Sequence, residues 1–309
     1  MKAFITGVTG FAGTYLADIL KNNGYEIYGV SLEDSDDKNI YKGDINNKEY
    51  LYSLLDKISP DIIYHLAATT SVRRSWEIPT ETINNNFIVS LNIMDWVKSR
   101  KGVKLFIMGS GETYGNRNSF PIKESDLIEP LTPYSLSKYL AEETAVFFSK
   151  NLGTKIYLSR AFNFTGPGQR AVFVIPSFSK QLAEMELGLR EKILKVGNLK
   201  AIRDFTDVRD TAKAIYLITE KGRSGEPYNI ASGSSYSIEQ LLSILLEFVD
   251  FKVDIIRNES EFRKNDILKL EGSYEKLFND TGWKPEIDIK TTLKDSLDYW
   301  RKKLSEKKS

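Results

Sequence analysis

The chain has 309 residues, 43 of them basic and 42 acidic, for a formal net charge of +1. That length allows two domains, or one large fold with a smaller lobe, and the even charge balance leaves no global field to draw in nucleic acid or an anionic membrane. The absence of cysteine removes disulfides, thiolate nucleophiles and cysteine zinc sites, and His65, the sole histidine, nearly excludes a His-based triad or a two-histidine metal site, so no metal is expected.

The opening residues MKAFITGVTG carry one Lys and a short apolar run before glycine, which reads as neither a signal peptide nor a membrane anchor. No stretch reaches the roughly 18 uncharged apolar residues of a membrane span. A cytoplasmic location is expected. Apolar runs at 2–6, 26–31, 61–67, 104–110 and 155–162 predict strands, and helical patterns at 12–23, 48–58, 82–99 and 133–150 fill the gaps. This alternation predicts an α/β fold, a doubly wound parallel sheet of the Rossmann kind, with ligands outside the carboxyl ends of its strands. After FNFTGPGQ (162–169) the pattern changes to a long helix at 173–188, a short strand and scattered helices. The first domain is therefore expected over 1–162. A smaller, discontinuous α/β lobe is expected over 163–309, with segments near 204–232 returning to the first sheet.

Gly7, Gly10 and Gly13 follow the first strand and open a helix in ITGVTGFAGTYLADIL, with Phe11 and Ala12 between them. Backbone amides and a helix N-terminus placed there can face a pyrophosphate, which predicts a dinucleotide. Where a carboxylate would grip the adenosine ribose, the chain reads VSLEDSDD. Glu33 and Asp34 suit a ribose grip or a solvated loop equally; in the first case they would repel a 2'-phosphate, and no Lys or Arg appears before Lys38, which leans to NADH over NADPH. Asp44 and Ile45 follow in KGDI, and HLAATTSVRRSW then ends a strand with Leu66, Ala67 and Ala68. In that segment the hydroxyls of Thr70 and Ser71 suit a sugar, or packing or capping equally. Arg73, Arg74 and Trp76 suit a cleft lining or its rim. MGSGETYG supplies Ser110. In PYSLSKYLAEE, Tyr134 and Lys138 are neighbours on one helix face behind Pro133, with Thr132 able to cap.

In this order, glycine loop, HLAA, Ser and Tyr-x-x-x-Lys, the chain resembles the extended short-chain dehydrogenase/reductases. The resemblance implies that Tyr134 is the acid or base on the substrate oxygen, and that Lys138 lowers its pKa and holds the nicotinamide ribose. It also implies that Ser110 polarises the same oxygen. Elementary chemistry agrees: a free phenol titrates near ~10, an adjacent ammonium favours phenolate, and two donors on one oxygen stabilise a developing alkoxide. The segments SRAFNFTGPGQ, FVIPSFSKQ, KVGNLKAIRDFTDVRD and DTGWKPEIDI are similar to the GDP-4-dehydro-6-deoxy-D-mannose reductases, and the likeness spans essentially the whole chain. It implies NAD(P)H-dependent reduction of the C4 ketone of GDP-4-keto-6-deoxy-D-mannose to GDP-rhamnose or the C4 epimer. By the same likeness Asn163, Lys180, Arg203 and Arg263 hold the GDP-sugar and Asp266 holds the nucleotide ribose.

Glu112 stands two residues after Ser110, where related dehydratases carry a glutamate, so a GDP-mannose 4,6-dehydratase or an NDP-sugar epimerase is the second expectation. Phe205, where those dehydratases usually carry Trp, points away from it. A non-catalytic nucleotide-sensing scaffold would need the glycine loop but not Ser110, Tyr134 and Lys138. A homodimer is expected through the helices at 82–99 and 133–150, whose Leu91, Met94, Trp96, Phe147 and Phe148 exceed what one core stripe needs.

Overall fold

The computed structural model describes residues 1–257 and 267–306, so Arg263 and Asp266 lie outside the described residues. Lys2–Thr6 (β1) leads through the glycine loop into Phe11–Asn22 (α1), and Glu26–Ser31 (β2), Ile40–Lys42 (β3), Lys48–Ile58 (α2) and Ile62–His65 (β4) follow. Val72–Glu77 (α3) and Pro79–Ile83 (α4) run through a π-helical turn at Asn84–Ile88 into Val89–Lys98 (α5). Lys104–Ser110 (β5), a 3-10 turn at Gly111–Tyr114, Pro133–Leu152 (α6) and Lys155–Ala161 (β6) complete the first half. The helix expected over 82–99 is thus broken by the π turn, and the strand expected to reach residue 67 stops at His65. Helix α6 has defined ends. Thr132 accepts a hydrogen bond from the Ser135 amide at 3.0 Å, Pro133 occupies the first turn, and Gly153 ends the helix at φ 66°.

The second half contains Asn163–Thr165 (β7), Val174–Glu186 (α7), Ile193–Val196 (β8), Ile202–Asp207 (β9), Val208–Lys221 (α8) and Pro227–Ile230 (β10). It closes with Ser235–Ser237 (β11), Ile238–Leu246 (α9), Asp254–Arg257 (β12), Lys269–Leu270 (β13), Glu275–Thr281 (α10) and Ile289–Glu306 (α11).

The main sheet has seven parallel strands in the order β3-β2-β1-β4-β5-β6-β10. Strand order reverses between β1 and β4, which opens a crevice at their carboxyl ends. Strands buried on both faces read as continuous apolar runs, and Phe4, Ile5, Ile62, Ile63 and Phe106 are fully buried. On one face Leu16, Leu20, Ile215 and Ile218 of α1 and α8 form the core with Trp283, and on the other Leu51, Leu55, Ile93 and Ala145 pack from α2, α5 and α6. A separate core joins α7, α9 and α11 through Leu182, Leu241 and Leu297. There β9 pairs with β7, β11 and β13, while β8 pairs with β12. Met94 and Trp96 belong to the sheet core, 0% and 2% exposed, which removes them from the expected dimer face. No helix among the described residues is long and apolar enough to cross a membrane.

Candidate active site

The glycine loop is built for close approach. Gly7 sits at φ +74°, which favours glycine, and a Cβ on Gly13 would lie 2.1 Å from the Gly7 carbonyl oxygen. Helix α1 is preceded by Gly10 at its N-cap, which offers no side chain to the amides of the first turn. These amides fit a pyrophosphate. A Cβ on Gly7 would come within 3.1 Å of the Ala67 amide, so the loop and the Leu66-Ala67-Ala68 segment form adjoining walls of the crevice. Phe11 stacks on Phe164 with centroids 5.8 Å apart, and the Tyr15 hydroxyl donates to the Pro167 carbonyl at 2.9 Å, tying α1 to the start of the second lobe.

Ser110 ends β5 and Tyr134 lies in the first turn of α6, near enough for the Ser110 hydroxyl to act on the phenol. The Ser110 hydroxyl also accepts from the Glu112 amide at 3.2 Å. Burial pushes the Tyr134 phenol up to about 12; the nearby Ser110 hydroxyl draws it down, and the Glu112 charge adds to the rise. Desolvation is the largest of these effects, and it holds the phenol above its ordinary value. Lys138 is itself buried and lowered to about 8, and its ammonium donates to the Met108 carbonyl at 2.9 Å. Beside it His65 is held neutral, its pKa brought down to about 3 by burial first and the Lys138 charge second. The His65 Nδ1 is 2.8 Å from the Thr6 hydroxyl, which also accepts from the Ala67 amide at 3.2 Å.

Asn86 went unnoticed in the sequence as a site residue. The π turn points it inward, 1% exposed, where its side chain accepts from the Thr69 amide at 2.7 Å and donates to the Thr69 carbonyl at 3.0 Å and the Ser137 hydroxyl at 2.9 Å. It thereby fastens the segment after β4 to the turn of α6 that bears Tyr134 and Lys138. Only the asparagine run NNN could have signalled it. Ser71 caps α3, accepting from the Arg74 amide at 3.2 Å, and Thr70 is exposed. Trp76 is 56% exposed, and Arg73 and Arg74 are solvated beside Glu77 and Glu81.

Glu33 and Asp34 are exposed beyond β2. A cation missed in the sequence stands beside them: Lys42 Nζ lies 2.6 Å from Asp34, because β3 pairs with β2 and brings back a residue eight positions away. The acidic character of this rim is therefore partly offset. Asp44 accepts from the Asn46 amide at 2.9 Å, and Ile45 packs on the sheet core. In the second lobe Asn163 pairs in register with Phe205, two residues from Arg203 on β9, so one small sheet carries both. Arg203 is 6% exposed and donates to the Ile202 carbonyl at 2.9 Å. Lys180 stands apart on α7, 3.4 Å from Glu184 and over the Trp300 ring of α11. Among the described residues, no group of three or more acidic or histidine side chains is placed to hold a metal.

The family model for GDP-mannose 4,6 dehydratase matches residues 4–296. A GDP-6-deoxy-D-mannose reductase of Pseudomonas aeruginosa is 31% identical, with 99% of each chain covered. A GDP-mannose 4,6 dehydratase of Arabidopsis thaliana is 27% identical over 96% of this chain and 88% of its own. The solved structure of RMD from Pseudomonas aeruginosa complexed with NADPH superposes with a TM-score of 0.87 at 30% identity, covering 98% of this chain and 99% of that one. With the glycine crevice and the Ser110–Tyr134–Lys138 arrangement in place, the chain belongs to the GDP-mannose 4,6-dehydratase family, enzymes of the extended short-chain dehydrogenase/reductase class.

Proposed function

We propose that this enzyme is an NAD(P)H-dependent reductase of the C4 ketone of GDP-4-keto-6-deoxy-D-mannose, yielding GDP-rhamnose or its C4 epimer. The observation that carries the reading is the Tyr134 phenol, buried near the Ser110 hydroxyl and pushed up to about 12, so that it holds its proton at neutral pH. A reduction needs a donor in that state. A nicotinamide held in the glycine crevice would supply the hydride for C4. Tyr134 then gives its proton to the oxygen, which is more basic than a phenolate, while Ser110 donates a second hydrogen bond and stabilises the charge as it develops. Lys138, anchored at the Met108 carbonyl, is placed one helical turn away to hold the ribose.

Residues 1–162, with α8 and β10, hold the dinucleotide through Gly7, Gly10, Phe11, Ala12, Gly13, Asp44, Ile45, Leu66, Ala67 and Ala68. In this reading Glu33 favours NADH. The lobe over 163–309 takes the GDP-sugar with Asn163 and Arg203, whose shared sheet is tied to α1 where Phe164 stacks on Phe11. The likeness to the reductase over 99% of the chain supports the substrate. A cytoplasmic location and a homodimer complete the proposal.

A second reading, a GDP-mannose 4,6-dehydratase, has one specific observation in its favour: Glu112 is near enough for its charge to act on Tyr134. The deciding experiment follows oxidation of NADH and NADPH with GDP-4-keto-6-deoxymannose and identifies the product. Stoichiometric consumption of the reduced dinucleotide is expected. Failure to consume it, with GDP-mannose converted instead, would overturn the reductase in favour of the dehydratase.

A further inference from the structure

Behind the site, a buried polar chain joins the two segments that carry Ser110 and Tyr134. Arg160 on β6 donates from Nε to both oxygens of Glu142 at 3.1 and 3.0 Å, and from Nη2 to Oε1 at 2.6 Å. Its Nη1 donates to the Tyr114 hydroxyl at 2.7 Å and to the Glu124 carbonyl at 2.9 Å, and the guanidinium lies 4.9 Å from the Tyr114 ring centroid. The Tyr114 hydroxyl donates onward to Asn229 of β10 at 2.7 Å. Almost no water reaches this chain: the Arg160 and Glu142 side chains are 6% and 3% exposed, and Tyr114 and Asn229 are fully buried.

Its sequence placement gives it a direction. Tyr134, Lys138 and Glu142 are spaced four apart, so they share one face of α6. Tyr114 closes the 3-10 turn that Ser110 opens. One guanidinium on an interior strand therefore grips the helix of the phenol and the turn of the hydroxyl together. Gly109 makes room, since a Cβ there would fall 2.2 Å from the Ser159 carbonyl oxygen and 3.7 Å from Glu142. Net stability is a poor explanation for such a pair, because desolvating both charges costs about what their attraction returns. Directional, bidentate geometry is what the pair supplies beyond an apolar filling.

We infer that Arg160, Glu142 and Tyr114 are positioning residues that hold Ser110 and Tyr134 at the spacing proton transfer requires. The inference rests on the reductase reading for the roles of Ser110 and Tyr134. The test uses the full chain with two variants. Arg160→Met combined with Glu142→Leu removes both charges together, and Tyr114→Phe removes only the hydroxyl that bridges to the turn. Melting, NADPH affinity by fluorescence, kcat and KM for the keto sugar, and amide exchange over 110–114 and 133–138 are measured.

The double variant is expected to melt cooperatively and to bind NADPH within about threefold of wild type, while kcat falls on the order of 30-fold through misplaced donors. Wild-type kcat in a folded double variant overturns the inference. If the double variant does not fold, Tyr114→Phe decides by the same split: kcat lowered about tenfold at unchanged NADPH affinity supports positioning, and unchanged kcat overturns it. Should wild type leave the keto sugar untouched, the functional reading falls and exchange decides alone. Faster exchange in both segments of the variants then supports the coupling, and wild-type protection overturns it.

Discussion

With its phenol pushed up to about 12, Tyr134 stays protonated throughout the neutral range, and the group that titrates within reach of ordinary assays is Lys138, at about 8. Reductive kcat/KM should therefore hold below pH 8 and decline above it as the ammonium is lost; a profile flat to pH 10 would show that its charge is not needed. Tyr134→Phe keeps the ring and removes the donor, so turnover should fall about 100 to 10,000-fold with dinucleotide affinity retained. Activity within threefold of wild type would refute the donor role. Glu112→Gln should cost less than about tenfold in a reductase, because no proton leaves C5 in that reaction, whereas a loss near 1,000-fold would mark an obligatory carboxylate. His65 allows a stability test. Its pKa is depressed from 6.5 to about 3, so folding disfavours the charged ring. The penalty is absent above 6.5 and grows as pH falls toward 3, reaching about 2 kcal/mol at pH 5. His65→Asn should lose that component of acid sensitivity, read as the difference between urea midpoints of the two proteins from pH 7 to pH 5.

At the scale of elements, what the sequence made legible follows from periodicity. The parallel strands are continuous apolar runs and α6 has Thr132, Pro133 and Gly153 at its ends, so both could be read locally. Strand β3 could not, since Ile40–Lys42 is too short to show a period. Its omission hid Lys42, and with it the cation beside Asp34. Asn86 was hidden likewise, because a π turn inside a helical pattern changes which residues face inward without changing composition. Arg160 and Glu142 are 18 residues apart, and no local rule links a charge in a strand to one in a helix. The acidic loop and β3 together bear on the proposed dinucleotide preference. NADH should serve at least as well as NADPH, and Lys42→Met should lower kcat/KM for NADPH several-fold while leaving NADH within about twofold, since the cation attracts only the extra phosphate at an exposed, screened site. Equal losses for both donors would show that Lys42 does not face the 2' position.

Across the whole molecule, the helices over the second face of the sheet leave apolar side chains uncovered. Phe147 is 58% exposed, Leu136 43% and Ile88 38%, while Met94 and Trp96 are spent inside. Leu136 and Phe147 lie on the outer side of α6, and Ile88 ends the π turn beside it. This is the surface a second copy would cover, so Phe147→Glu should convert a dimer to a monomer by light scattering at micromolar concentration. A wild-type monomer under the same conditions would remove the dimer proposal. The path of the chain has another consequence. The polypeptide leaves the main sheet after β6, builds β7, α7, β8 and β9, and comes back to lay α8 over α1 and β10 beside β6. A fragment ending at residue 162 would bare the edge of β6 and strip the cover from Leu16 and Leu20, both fully buried in the intact protein. The two halves are therefore not interchangeable modules, and grafting the sugar-side half of one relative onto this one takes at least two crossovers, one on each side of the α8–β10 return.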